Sequence, residues 1–357
     1  MVAHLCCSVD AGYFLQRLKE DFPNEKIIGF FYDPNIHPYS EFKLRSLDTK
    51  RICKKLGVEY VEGDYNYEDW LMAVKGLENE PEKGSRCNVC FDFSLEEAAR
   101  FAKKINAKKV TTSLLMSPMK SHEQLNKVGK VIKRKYGVEF VDVDYRKKGG
   151  TQAQQEYAKQ NQMYRQDYCG CLYGIFQQKA NQEIIDELIS PYPFQIFPSS
   201  IEEKLNFYQN RLDLEEKGIK YKIIKENFLN YRLLNSKVEI KKNNISHYTL
   251  FYSHLDRLQR VKIEFIKDKV AYTNRAQIIF VLLEKLNEVL DKNYKNIKEM
   301  YKNPLLIKEE LVFREKITKT KYNLSPIIIL EEFSENRYDI LIDSKIYPDN
   351  KEILIKF

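Results

Sequence analysis

The sequence lacks long hydrophobic runs, and glycine and proline are scarce in it. No segment approaches the roughly 18 uninterrupted apolar residues of a membrane span, and the start, MVAHLCC, has no basic region followed by an apolar one. We therefore expect no membrane partner and a cytoplasmic location. With 13 Gly and 11 Pro among 357 residues, of which 43% are hydrophobic and 31% charged, the composition excludes disordered and collagen-like proteins.

Charge of one sign does not dominate the chain, because 59 Lys and Arg against 51 Asp and Glu leave a net charge of +8. The basic residues are not gathered in a tail, but residues 101–150 contain 13 basic and only 4 acidic residues. An ordinary solvated surface and a surface that binds a polyanion both fit this composition. Residues 101–150 are the candidate nucleic-acid-binding segment.

Cysteine is missing from the second half of the chain, since all seven cysteines lie at or before Cys171. Cys53 occupies an apolar-periodic position of a predicted helix, so we expect it in the core. The other six form three close pairs, Cys6–Cys7, Cys87–Cys90 and Cys169–Cys171. In a chain with no export signal, clustered thiols indicate metal ligands or redox thiols before disulfides. The spacing alone does not distinguish a zinc site from an iron–sulfur cluster.

Short apolar runs alternate with helix-periodic segments along the first half of the chain. Strands followed by helices of this length predict a parallel sheet covered by helices on both faces, that is, a Rossmann-like α/β fold. The predicted strands are residues 2–5, 27–32, 58–61, 109–115 and 138–143, and the predicted helices include 13–18, 41–56, 68–75, 95–104, 122–136 and 152–163.

The chain changes character near Pro191, and Gly218 is the only glycine beyond Gly174. Ser200 and Glu203 have capping-box spacing and predict a helix that ends near Gly218. We expect an α/β domain with the metal-binding cysteines over 1–190 and an accessory α+β domain over 195–357. The predicted strands of the second domain are 221–224, 237–241, 261–266, 327–330 and 340–342, and its predicted helix is 275–293.

Several chemically capable side chains follow the predicted strands of the first domain. Ligands of parallel α/β sheets bind beyond the carboxyl ends of the strands, so we expect these side chains to converge on one crevice, with the remaining cysteine pairs closing it from the sides. They are Cys6, Cys7, Asn35, His37, Asp64, Tyr65 and the stretch 111–117, with Cys87 and Cys90 in a loop and Cys169 and Cys171 after a helix at the sides.

Some of these side chains have more than one interpretation. Asp10 is a hard ligand that can hold a second metal beside soft thiolates, or it caps the first helix. His37, in a loop between two prolines, is a candidate proton donor or a turn residue. His4 is expected to pack within the first strand. The loop 8–12 lies where nucleotide phosphates bind, but it lacks the glycines of a phosphate loop.

Six ordered motifs run through residues 2–178. They are His4-x-Cys6-Cys7, Tyr32-x-Pro34-Asn35-Ile36-His37-Pro38, Glu62-Gly63-Asp64-Tyr65, Arg86-Cys87-x-x-Cys90-Phe91, Thr111-Thr112-Ser113-Leu114 with Ser117-Pro118, and Tyr164-Arg165-Gln166-x-Tyr168-Cys169-Gly170-Cys171. With these motifs the chain resembles the cobalamin-independent epoxyqueuosine reductases of the QueH type. The resemblance implies a cytoplasmic oxidoreductase that reduces the epoxide of epoxyqueuosine, at the wobble position of a tRNA, to queuosine. It also implies a 4Fe-4S cluster with an adjacent mononuclear iron, and a nucleotide-alpha-hydrolase-like sheet domain is expected.

The resemblance also implies roles for the cysteines and their neighbours. Cys6, Cys7, Cys87 and Cys90 are the expected ligands of the cluster and the iron, joined by Asp10, which stands where many members carry a third cysteine. Cys169 and Cys171 are either further ligands or a dithiol that cycles to a disulfide during turnover.

Reduction of an epoxide needs two electrons and two protons, and an external donor is expected to supply the electrons. His37 and Tyr65 are the candidate acids that protonate the leaving oxygen.

An anticodon base must be splayed out and stacked to enter a crevice. The candidate substrate-binding residues are Asn35, Lys120, Lys147, Lys148, Tyr164 and Arg165.

Two other functions fit parts of the pattern. An ATP-dependent, iron–sulfur tRNA thiolase or ligase on a similar sheet requires a nucleotide at residues 8–12, which the missing glycines disfavour. A zinc-stabilised RNA-binding protein requires no redox chemistry from the surplus thiols.

Overall fold

The computed structural model describes residues 1–117, 120–166, 168–178, 190, 192, 195–275 and 277–357. The chain divides into two compact units. The first unit contains Met1–Ile185, Lys204–Ile223 and Leu354–Phe357, and the second contains Asp186–Glu203 and Ile224–Ile353. These units are not continuous in sequence, because Lys204–Ile223 and the last four residues group with the first unit. The domain boundaries expected at 1–190 and 195–357 stay a prediction.

A five-stranded parallel sheet forms the centre of the first unit. Its strands pair in the order β3 (Glu59–Glu62), β2 (Ile28–Phe31), β1 (Val2–Leu5), β4 (Lys109–Thr112) and β5 (Glu139–Phe140). All four pairings are parallel. The strand order changes direction at β1, and such a switch point is where open α/β sheets bind ligands. The predicted α/β class is confirmed.

Eight helices begin within the described part of residues 1–216. They are α1 (Ser8–Asp21), α2 (Tyr39–Leu56), α3 (Tyr67–Ala73), α4 (Ser85–Lys104), α5 (His122–Tyr136), α6 (Gly150–Gln160), α7 (Leu172–Gln178) and α8 (Ile201–Glu216). Helix α5 begins after Ser121, whose hydroxyl accepts the Gln124 N–H, and ends at Gly137, which has a positive φ of 69°.

Four sequence predictions in the first unit differ from the structure. Helix α4 begins at Ser85 instead of 95, because the Glu80 carboxylate accepts the Ser85 N–H at 3.0 Å, so the C-x-x-C pair lies on a helix and not in a loop. Residues 8–12 belong to α1, which leaves no phosphate-binding loop there. Strand β4 ends at Thr112 and is followed by a 3-10 turn, Ser113–Leu115. Strand β5 has two residues, because only Glu139 and Phe140 pair with β4.

Cys53 lies in the apolar core that packs against the sheet, as predicted. Its side chain is fully buried among residues that include Leu5, Phe30 and Val58. Burial raises the pKa of its thiol to about 12, so it stays protonated and chemically inert.

Two sheets and three helices account for most of the described residues of the second unit. One sheet has the order β10 (Ile263–Lys267), β11 (Val270–Thr273), β12 (Ile279–Leu282), β13 (Ile327–Leu330) and β8 (Tyr248–Thr249), and the other has β7 (Asn243–Asn244), β6 (Tyr221–Ile240), β14 (Tyr338–Lys356) and β9 (Gln259–Val261). The helices are α9 (Leu283–Leu290), α10 (Ile297–Lys302) and α11 (Ile307–Thr318). The predicted helix 275–293 is wrong in its first half, because Ile279–Leu282 form a buried strand. None of the helices in the described residues has the length and apolar character needed to cross a membrane.

Candidate metal and substrate site

A cavity of about 500 Å³, the main cavity of the site, lies beyond the carboxyl ends of β1, β2 and β4. Cys6 follows β1, Asp33 and Asn35 follow β2, and Ser117 follows β4. Helix α4 contributes Cys90 to the wall. The expectation that side chains following different strands converge on a crevice at this edge of the sheet is therefore met for Cys6, Asn35 and Ser117.

Three potential metal ligands meet at the start of α1. The ligand atoms of Cys6, Cys7 and Asp10 all lie within 4.8 Å of one another. Cys6 Sγ is 4.0 Å from Cys7 Sγ and 3.5 Å from Asp10 Oδ2. Gln154 of α6 donates to Asp10 Oδ1 at 2.6 Å and so fixes the orientation of the carboxylate. Two thiols and a carboxylate in this arrangement form a candidate metal site.

The helix cap at this site is Cys7 and not Asp10. Cys7 is the N-cap residue of α1, and its sulfur accepts the Asp10 N–H at 3.5 Å. Burial raises the pKa of Asp10, and the hydrogen bond with Cys7 together with burial raises the pKa of Cys6. A buried thiol of this kind gives up its proton when a cation takes the proton's place.

The other four clustered cysteines surround a second, adjoining cavity. Cys87 and Cys90 come from α4, and Cys169 and Cys171 come from the segment before α7. Cys90 and Cys169 also line the main cavity. Burial raises the pKa of Cys87, Cys90 and Cys171. Five thiols thus line two cavities that share part of their walls, and the sixth thiol, that of Cys7, lies 4.0 Å from that of Cys6.

Lys120 lies between the two cavities. Its Nζ donates to Cys169 Sγ at 3.6 Å and lies 5.6 Å from the centre of the Phe91 ring. Burial lowers the pKa of Lys120, but the charges of Cys169 and Cys87 outweigh this and raise it overall. Lys120 is therefore a partly buried ammonium group beside the thiols, and its expected role in substrate binding stays a prediction.

The C-x-C segment is held by α2 and by the connection between β2 and α2. Arg45 donates to the backbone carbonyls of Tyr168 and Cys169, both at 3.1 Å. The Gly170 carbonyl accepts the His37 N–H at 2.8 Å. Gly170 has a φ of +113°, and a Cβ atom there would lie 3.0 Å from Arg45 Nη1. Only glycine combines this backbone conformation with such close contact.

Among the predicted site residues that do not line the main cavity are three with rings, His37, Tyr65 and Tyr164. The His37 ring is half-buried and stacked on Tyr67, with ring centres 5.5 Å apart, and burial lowers its pKa. Tyr65 donates its hydroxyl proton to the Ile36 carbonyl at 2.6 Å, and burial raises its pKa. Tyr164 is buried and donates to Glu41. The expected convergence of Tyr65 with Cys6 is wrong, because β3 lies at the edge of the sheet.

The remaining predicted substrate-binding residues lie on the surface. Lys147 and Lys148 are exposed, and Lys147 forms a 3.2 Å ion pair with Asp144. Arg165 is exposed and donates to the Gln155 carbonyl. Their binding roles stay predictions.

Sequence reasoning missed Asp33, Arg45 and Gln166, which also line the main cavity. Asp33 directly follows the Phe31–Tyr32 end of a predicted strand, so the rule that singled out Asn35 applies to it equally. Arg45 and Gln166 carry no such signal.

The first half of the chain matches a known protein family. The family described as epoxyqueuosine reductase QueH matches residues 1–177. A protein named epoxyqueuosine reductase QueH from Helicobacter pylori is 39% identical, over 98% of this chain and 99% of its own length. Proteins of the same name from Haemophilus influenzae and Acinetobacter baylyi are each 36% identical over 49% of this chain, which covers 71% and 80% of their lengths. The similarity to the Helicobacter protein therefore extends through the second unit, whereas the family match ends before it.

Proposed function

Because the chain belongs to the epoxyqueuosine reductase QueH family, we propose that it reduces the epoxide of epoxyqueuosine in tRNA to the alkene of queuosine at the cavity lined by Cys6, Cys90 and Cys169. The chain is an oxidoreductase of tRNA modification. The observation that carries this assignment is the gathering of five thiols and Asp10 around two adjoining cavities, with a sixth thiol, Cys7, beside Cys6, all within the residues that match the family.

The donor set fits an iron–sulfur cluster and a second metal ion. A cluster of the 4Fe-4S type requires four thiolates, and four thiols line the second cavity, those of Cys87, Cys90, Cys169 and Cys171. Cys6, Cys7 and Asp10 offer a separate, mixed sulfur and oxygen set suited to a mononuclear iron. We therefore assign the four cysteines to the cluster, which makes Cys169 and Cys171 ligands and not a dithiol that cycles.

The reaction consumes two electrons and two protons and releases the epoxide oxygen as water. When bound, the iron–sulfur cluster supplies electrons one at a time from an external donor. Lys120 holds a proton at Nζ on the wall of the main cavity, where it can donate a hydrogen bond to the epoxide oxygen. Lys120 replaces His37 and Tyr65 as the proposed donor, because neither of those side chains lines the cavity.

The proposed substrate is a tRNA, whose modified base leaves the stack to enter the cavity. The exposed Lys147, Lys148 and Arg165 are the proposed contacts to its phosphates. Asn35, which lines the cavity, is the proposed contact to the base.

A complementation experiment tests the function. The chain is expressed in a bacterium that lacks its own epoxyqueuosine reductase, and the nucleosides of its tRNA are analysed by mass spectrometry. We expect queuosine with the natural chain and with Cys53→Ala, which alters a cysteine outside the site. We expect epoxyqueuosine with Cys90→Ala. Accumulation of epoxyqueuosine with the natural chain, expressed in folded form, would exclude the proposal.

A further inference from the structure

Three side chains on the wall of the main cavity have a buried oxygen atom with no hydrogen-bond partner among the described residues. These atoms are Asp33 Oδ2, Asn35 Oδ1 and Gln166 Oε1. A buried polar atom left without a partner costs about 1–3 kcal/mol, and such atoms are uncommon in folded proteins. Three of them on one cavity wall indicate that a ligand supplies the partners.

The neighbours of Asp33 do not satisfy its carboxyl group. His4 Nε2 is 3.8 Å from Asp33 Oδ2, beyond hydrogen-bond distance, and lies 2.9 Å from the Tyr32 carbonyl, to which it donates. Arg45 and Lys120 are the other cationic groups near Asp33. Arg45 is engaged by Glu41 at 2.6 Å and by two backbone carbonyls, and Lys120 donates to the sulfur of Cys169. Asp33 itself is 7% exposed and Asn35 is 4% exposed, so bulk water reaches them poorly.

The unpaired amide oxygens of Asn35 and Gln166 accept hydrogen bonds, so their partners must donate them, whereas the Asp33 carboxyl, whose pKa burial raises, can donate as well as accept. An epoxide oxygen only accepts, and it therefore cannot be the group that the two amide oxygens bind. Lys120, on the wall of the same cavity, is a donor. One wall of the cavity, the acceptor wall, thus carries the unpaired oxygens, and Lys120 places a hydrogen-bond donor beside the thiols. An epoxide-bearing ring with donor substituents therefore binds with those substituents toward the acceptor wall and its epoxide toward Lys120.

We propose that Asp33, Asn35 and Gln166 recognise hydroxyl or amine groups on the epoxide-bearing ring and so distinguish tRNA that carries epoxyqueuosine from the same tRNA without the modification. This specificity role rests on the proposed function. The acceptor wall turns the ring so that its epoxide faces Lys120 and the thiols.

The test compares tRNA binding by Asp33→Asn, Asn35→Ala and Gln166→Met. The affinity of the iron-loaded protein is measured without a reductant, so that no turnover occurs, for a tRNA with epoxyqueuosine and for its unmodified transcript. We expect each variant to raise the Kd for the modified tRNA roughly tenfold, the effect of one lost hydrogen bond to a buried group, and to leave the Kd for the transcript unchanged.

Gln124 offers a matched control, because its Oε1 is also buried without a partner among the described residues but lies outside the cavity. Gln124→Met should preserve the preference for modified tRNA. The inference is overturned if the natural chain discriminates and all folded, iron-loaded variants discriminate equally well. A natural chain that neither reduces epoxyqueuosine nor prefers the modified tRNA refutes the proposed function itself. Should Asp33→Asn fail to fold, the other two variants decide the matter.

Discussion

Asp10 differs from the other proposed ligands because it offers oxygen where they offer sulfur. Its Oδ2 lies 3.5 Å from Cys6 Sγ, and Gln154 holds its second oxygen. If Asp10 binds the mononuclear iron, Asp10→Asn removes the negative charge but keeps the shape, and about one iron per chain is lost while the roughly four sulfides of the cluster remain. Iron and sulfide analysis after anaerobic purification measures this.

The exposed Asp21 at the end of the same helix provides the control for that substitution. Asp21→Asn should keep the full iron content. Equal iron in both variants and the natural protein would remove Asp10 from the ligand set.

Glu310, a buried carboxyl of the second unit, makes the stability of that unit depend on pH. Burial raises its pKa to about 7, although it accepts hydrogen bonds from Tyr248, Gln195 and the Phe251 N–H. The folded state therefore holds a proton that the unfolded state releases near pH 4.5. The contribution of Glu310 to the free energy of unfolding is therefore fully present below pH 4.5. It falls as the pH rises to about 7, by at most about 1.4 kcal/mol per pH unit.

Hydrogen exchange at the Phe251 amide, corrected for intrinsic exchange rates, reports this local stability. We predict a downward slope between about pH 5 and 7 in the natural protein and in Glu315→Gln, which alters an exposed side chain of the same helix. In Glu310→Gln the slope should vanish. A slope that persists in Glu310→Gln would show that another group causes it.

At the scale of elements, the C-x-C segment depends on a glycine. Gly170 has a positive φ and no room for a side chain beside Arg45. We predict that Gly170→Ala lowers the free energy of unfolding by about 1–3 kcal/mol and, because the strain displaces Cys169 and Cys171, at least halves the iron content. Thermal unfolding and metal analysis measure the two effects.

Gly137 is the matched control for this variant, since its φ is +69° and a Cβ atom added there would meet nothing within 4 Å. Gly137→Ala should cost about 1 kcal/mol of stability without loss of iron. An equal iron content in the two variants would contradict the proposed ligand role of the segment.

Where the sequence has clear start and stop signals, the first and last residues of an element were predictable. Strands β1 and β13 have the expected bounds, and so does α5, which lies between Ser121 and Gly137. The apolar run at 278–283 was not predictable in this way, because a continuous hydrophobic segment fits a buried strand and a buried helix equally well. The start of α4 depends on the Glu80 side chain, a contact that periodicity does not contain.

For the whole molecule, the parallel-sheet rule was enough to predict that residues following different strands meet in one crevice. It succeeded for Cys6, Asn35 and Ser117. It failed for Tyr65, because the rule does not say how far an edge strand lies from the switch point. Arg45 and Gln166 reach the cavity from a helix and a connecting segment, and their positions follow from tertiary packing alone.

Binding of a whole tRNA is expected to depend on salt through exposed lysines. Replacement of both Lys147 and Lys148 by Ala removes two proposed phosphate contacts, so the Kd should rise and the slope of log K against log salt should fall by up to about 1.5. Lys54 and Lys55, an adjacent exposed pair outside residues 101–150, serve as the control. An affinity and slope that match those of the control would remove Lys147 and Lys148 from the tRNA contact surface.

We propose that this chain converts epoxyqueuosine to queuosine with electrons that pass through its cysteine site. The most direct measurement uses anaerobically purified protein, reduced with dithionite and mixed with tRNA that carries epoxyqueuosine, followed by digestion and mass spectrometry of the nucleosides. We predict that queuosine appears as epoxyqueuosine disappears, and that protein with Cys90→Ala gives none. Intact epoxyqueuosine after incubation with folded, iron-loaded and reduced protein would contradict the account.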